Sequence, residues 1–117
     1  MKTYVDHINY QVTDLDRISA LMRQLGYVEI RRTEHHGGAV EMKNPAQPEL
    51  VLEFTLIRDG EKPGFNHICF GLEGEQDVAS LKASGFPLTG DLHFSSGSGR
   101  YITNFKDPDG NKWQITC

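Results

Sequence analysis

Along residues 7–12, HINYQV, apolar side chains fall on every second position, Ile8, Tyr10 and Val12. Residues two apart on an extended chain share a face, so this stretch predicts a strand with one buried face and His7 on the other. The pattern returns sixty residues later as HICFGL, with Ile68, Phe70 and Leu72 on one face and His67 opposite. After the first strand, Leu15, Ile18, Leu21, Met22 and Leu25 recur at helical spacing. They predict a helix over residues 14–25, with Asp14 or Thr13 as N-cap and Gly26 just beyond its end. Val78 and Leu81, closed by Gly85, predict a second helix over residues 75–84.

Each helix leads into three predicted strands. In the first half they cover residues 27–36, 39–43 and 49–57, with a turn at Gly37-Gly38 and a break at NPAQP; in the second they cover 86–94, 100–106 and 112–116. The SSGSG run reads as a plain flexible loop, His35 and His36 as a solvated hairpin tip, and Asp107 and Asp109 of DPDGN as turn formers. The chain is thus a β-α-β-β-β unit written twice. One such sheet with one helix leaves a face uncovered, so the halves are expected to form one domain over residues 1–117: a module at 1–57, a linker at 58–63 and a module at 64–117.

The repeat changes the meaning of the polar strand positions. Leu50, Leu52, Phe54 and Leu56 alternate along the last strand of the first half, as Trp113 and Ile115 do along the last strand of the second. These are the helix-packing faces. The opposite faces carry Glu53 and Gln114, so His7, Glu53, His67 and Gln114 occupy equivalent inward positions of the two halves. A lone strand histidine is ordinarily structural; four metal-competent groups recurring in register point to a site. Glu53 lies between apolar neighbours, and a buried carboxylate calls for a cation.

Composition narrows the classes. A net charge of −4 gives no basic excess for nucleic acid, and no apolar run approaches the length of a membrane span. The chain runs from MKTYVDH straight into strand-like sequence, which makes a cytoplasmic location the expectation. Cys69 and Cys117 are too few for a disulfide framework and read as free thiols.

At HINYQVTDLD, VLEF, GFNHICF and YITNFKDPDGNKWQI the sequence resembles the vicinal oxygen chelate superfamily, which includes glyoxalase I, methylmalonyl-CoA epimerase, fosfomycin-resistance thiol transferases, extradiol dioxygenases and bleomycin-resistance proteins. The resemblance covers the whole chain. It implies an α+β fold in which two tandem β-α-β-β-β modules form a curled mixed sheet around a metal-binding cleft, with His7, Glu53, His67 and Gln114 at the four ligand positions. Many glyoxalase-like and epimerase-like members carry glutamate where Gln114 stands. An amide oxygen can ligate but cannot take a proton as a carboxylate does, which leaves Glu53 as the one basic member of the set.

The resemblance further implies a metal-dependent lyase or isomerase like glyoxalase I, acting on a small substrate that chelates the ion through vicinal oxygens. The nitrogen and oxygen ligands suit zinc, nickel, cobalt, iron or manganese. Arg100, Tyr101 and Cys69 are the candidate substrate contacts, although surface positions for the first two and a small apolar filler for Cys69 are the simpler readings. Family members of this size usually dimerise, which implies a homodimer with exposed sheet edges paired. The rival readings are a bleomycin-resistance-type binding protein and a fosfomycin-resistance-like thiol transferase; extradiol ring cleavage fits least, because its two-His-one-carboxylate arrangement is not reproduced at matching positions.

Overall fold

The computed structural model describes residues 1–117. Asp14 caps the first helix as its spacing predicts: its side chain accepts a hydrogen bond from the Arg17 amide, and the helix, α1, runs Leu15–Gln24. The second, α2, runs Glu75–Ala83. The strands are β1 (Tyr4–Val12), β2 (Val28–Thr33), β3 (Ala39–Lys43), β4 (Val51–Leu56), β5 (Gly64–Gly71), β6 (His93–Ser95), β7 (Arg100–Lys106) and β8 (Lys112–Thr116).

All eight strands join one sheet in the order β2-β3-β4-β1-β5-β8-β7-β6. Each half contributes the same pattern: β1 runs parallel to β4, and β5 parallel to β8, with the rest of each half antiparallel. The halves meet where β1 pairs antiparallel with β5. This is the α+β fold of two tandem β-α-β-β-β modules in a curled mixed sheet. The pairing brings His7 and His67 to the seam of a single chain.

The outer face carries two apolar clusters. Val12, Val40, Met42 and Phe54 pack with Leu15, Ile18 and Met22 of α1; Leu72, Val78 and Ile115 pack with Leu81, Phe86 and Phe105. Burial of such side chains contributes about 1.5–3 kcal/mol each and holds each helix to its half of the sheet. At the seam the helices do not reach, and Tyr10, expected on a covered face, is 43% exposed. Trp113 stacks between Phe70 and Phe105, at centroid distances of 5.6 and 6.0 Å. The inner face is polar: Asn9, Gln11, Glu41, Glu53, Thr55 and Gln114 are all buried there.

Two expected strands are shorter than their hydrophobic patterns. β2 stops at Thr33, because residues 35–37 form a tight 3-10 turn with positive φ at His36 and Gly37. In the second half Phe86–Leu92 is irregular apart from a bridge between Leu88 and Phe105, and only His93–Ser95 is strand. Pro87 removes a ladder donor, which ends regular pairing there.

Candidate functional site

The strand register builds the site in two rows across the inner face. In one, Glu41, Glu53, Asn9 and His67 oppose one another in turn on β3, β4, β1 and β5. In the other, His7, Cys69, Gln114 and Asn104 do so on β1, β5, β8 and β7. His7, Glu53 and His67 therefore converge, each under 10% exposed, with one donor atom apiece inside a 4.8 Å span. The His7 Nε2 to Glu53 Oε1 distance is 3.7 Å, and the two imidazoles meet edge to face at 5.5 Å between centroids. Gln114 lines the same cavity of about 110 Å³, together with Asn9, Asn66, Arg100 and Lys112.

Most of these polar groups are partnered. Glu53 Oε1 accepts a hydrogen bond from Asn9 Nδ2 at 2.8 Å, and Oε2 lies 3.4 Å from Arg100 Nη1. The cation that a buried Glu53 calls for is supplied by Arg100, from β7, so charge balance by itself does not require a metal. Arg100 itself is largely buried and also holds Glu41, at 3.1 Å through both Nη1 and Nη2, and Asp6 Oδ2 at 3.2 Å. Glu41 is shared with Arg31, whose Nη2 approaches to 2.7 Å. Burial would raise the Glu41 carboxyl, but the hydrogen bonds from Arg31 and Arg100 outweigh it and leave Glu41 below the usual carboxylate range. Asp6 follows the same balance, with His7 and Arg100 opposing burial.

Three buried atoms of the cavity lining have no partner: His67 Nε2, His36 Nδ1 and Asn104 Oδ1. His67 Nε2 is buried in the cavity wall without a hydrogen bond, while Nδ1 is engaged by the Asn66 side chain. An orphaned imidazole nitrogen facing two other ligand-type atoms is a donor set suited to a metal ion. Two donors about 2.1 Å from a tetrahedral ion lie roughly 3.4 Å apart, so 3.7 Å between His7 Nε2 and Glu53 Oε1 requires little contraction. The residues present fit a divalent cation.

The other expectations separate. Cys69 is fully buried in the floor between His7 and Gln114 and does not line the cavity; burial pushes its thiol up, so it fills space as a neutral group. Tyr101 is half exposed, packs against Phe94 and lies outside the cavity. Arg100, for which a surface position was the simpler reading, is instead built into the wall. His35 and His36 are not a solvated tip. Their rings stack at 4.0 Å, both line the cavity, and burial lowers both below the ordinary imidazole value. The loop after β6 closes over them: a Cβ on Gly97 would lie 2.9 Å from His35 Nδ1, and Arg31 Nη2 donates to the Ser98 carbonyl at 2.6 Å. Asp107 does form the expected turn, accepting from the Asp109 and Asn111 amides.

Burial, reinforced by His7 and Lys112 and only partly opposed by the nearby Gln114 side chain, lowers His67 to about 3. The unfolded chain protonates this side chain near its ordinary value of 6.5, whereas the folded protein does not until near pH 3. Above pH 6.5 neither state binds the proton and the group is silent. Below it the unfolded state binds more protons and stability falls. For metal-free protein we expect a loss on the order of 2 kcal/mol at pH 5 relative to pH 7, read from urea midpoints. His67→Gln flattens that slope; an unchanged slope in the variant refutes the assignment.

By sequence, no curated protein matches the chain. Residues 4–115 match the family model described as Glyoxalase/Bleomycin resistance protein/Dioxygenase superfamily. Among solved structures, a methylmalonyl-CoA epimerase from Mycobacterium tuberculosis superposes with a TM-score of 0.79 at 15% identity, covering 96% of this chain and 85% of its own. A hypothetical protein from Bacillus halodurans gives 0.77 at 15% identity, with 99% and 94% covered. A methylmalonyl-CoA epimerase in complex with methylmalonyl-CoA gives 0.76 at 20% identity, again with 99% and 94%. At these identities the likeness establishes the fold.

Proposed function

The chain belongs to the Glyoxalase/Bleomycin resistance protein/Dioxygenase superfamily, and from that premise we propose that it is a metal-dependent lyase or isomerase acting on a small carbonyl compound with two adjacent oxygens. The observation that carries the reading is the unpartnered, buried Nε2 of His67 beside His7 Nε2 and Glu53 Oε1. His7, Glu53 and His67 would hold the ion, with the Gln114 amide oxygen and water completing the shell. A bound divalent ion supplies Lewis acidity to the substrate oxygens.

The chain's own residues do the rest. Asn9 fixes Glu53 through Oε1, and Oε2, held only by the longer 3.4 Å contact from Arg100 Nη1, is the atom that takes a proton from the carbon beside the carbonyl. Arg100 places positive charge next to that carboxylate and disperses negative charge building up in the cleft. His35 and His36, under the loop containing Gly97 and Ser98, screen the opposite wall from water. Homodimerisation belongs with this reading, and β2 and β6 are the sheet edges a partner would pair with.

A metal-free binding protein of the bleomycin-resistance type is the second reading. The ion pair between Glu53 and Arg100 favours it, because the carboxylate is balanced without metal. Elemental analysis of protein purified without chelator separates the two. We expect about one equivalent of divalent metal per chain, together with solvent-deuterium incorporation into 2-oxo or 2-hydroxycarbonyl probes. Absence of metal after metal-replete dialysis overturns the enzyme reading.

A further inference from the structure

We propose that Asp6 and Asn66 are paired positioning residues: each occupies a β-bulge immediately before a cleft histidine and holds that histidine's Nδ1, which turns Nε2 into the cavity as the free donor. The inference deepens the functional reading and rests on it for the identity of the ligands. In an unbroken strand, neighbouring side chains leave on opposite faces, so neither residue could reach the ring that follows it. The β1–β5 register breaks that rule twice. Val5 and His7 oppose the consecutive residues Phe70 and Cys69, which leaves Asp6 as an extra residue on β1. Asn9 and Tyr10 oppose His67 and Phe65, which leaves Asn66 as an extra residue on β5. Bulges re-aim side chains next to functional sites, and here both do so at the same place in the repeat.

The consequence is a matched pair of hydrogen bonds. Asp6 Oδ2 lies 2.8 Å from His7 Nδ1, and Asn66 Oδ1 faces His67 Nδ1. Asp6 also accepts from Arg100 Nε, so it is an anion with no proton to give and Nδ1 of His7 must be the donor. The amide oxygen of Asn66 is likewise only an acceptor, which assigns the proton of His67 to Nδ1 and explains why its buried Nε2 is left bare. Fixing the tautomer removes a choice that each imidazole would otherwise have to make on binding an ion. A carboxylate behind His7 and an amide behind His67 also make His7 the stronger electron donor of the two.

The test reads the ring nitrogens directly. Long-range proton–nitrogen spectra of the metal-free protein near neutral pH are expected to show both histidines as the Nδ1–H tautomer. In Asp6→Ala, His7 is expected to become a tautomeric mixture and the zinc dissociation constant to rise about 10- to 100-fold, the usual range for losing such a partner. Asp6→Asn, which gives β1 the acceptor that β5 already has, is expected to restore the tautomer and most of the affinity. An Nε2–H signal for either histidine in the parent overturns the proposal, as does Asp6→Ala with unaltered tautomer or unaltered zinc affinity. Should zinc fail to bind the parent at all, the functional reading falls while the tautomer spectra still decide this inference.

Discussion

His7→Ala and His67→Ala each lower affinity for divalent metal by at least about 100-fold, a loss beyond what is usual when only an outer partner of a ligand is removed. Each deletes one of three donors that lie within a 4.8 Å span, and the other imidazoles of the cavity wall, His35 and His36, lie outside that group. The fold survives in both variants. Neither ring belongs to the apolar clusters under α1 and α2, so the helix-facing packing is untouched. His67→Ala is the milder for stability, because the partner it strands is the neutral Asn66 amide, whereas His7→Ala strands the Asp6 carboxylate against Arg100 alone. Isothermal titration with zinc, read beside circular dichroism, checks both statements. Undiminished affinity in either variant would remove that histidine from the site.

Why these histidines were readable in the sequence, and Glu41 and Asp6 were not, is a matter of period. Strand alternation is strict, so a polar residue set among apolar neighbours announces its face, and the repeat doubles the signal at His7 and His67. The two helices and the Asp14 cap follow from helical spacing in the same way, whereas the parallel pairing inside each half is carried by no local pattern. Glu41 sits in a five-residue strand, AVEMK, too short for alternation to separate a buried carboxylate from an exposed one. Arg31 and Arg100 make it tolerable there, and they come from strands on opposite sides of the cleft, a distance no local pattern carries. Asp6 is hidden for another reason. A bulge breaks the two-residue period, so the rule that found His7 places Asp6 on the wrong face. His35 and His36 escape both patterns, because a 3-10 turn with a left-handed histidine obeys neither the helical nor the strand period.

The prediction with the widest consequence concerns the proton. Glu53→Gln keeps an oxygen toward His7 and the Asn9 contact within reach, yet removes the group that can be protonated; turnover on any substrate found is expected to fall by about two to four orders of magnitude, the usual cost of losing a general base. Arg100 keeps Glu41 and Asp6 as partners in the variant, so the wall should hold its shape. Gln114→Glu works in the opposite sense, giving the cleft a second carboxylate near His67 and retaining metal. Metal content measured on the same Glu53→Gln preparation separates the two ways activity can fail, since loss of the ion would mimic loss of the base. Full turnover with metal bound would place the base outside the ligand set. Glu41 could not take the role, held as it is between two guanidinium groups, and the neutral imidazoles of His35 and His36 would be the groups left facing the substrate.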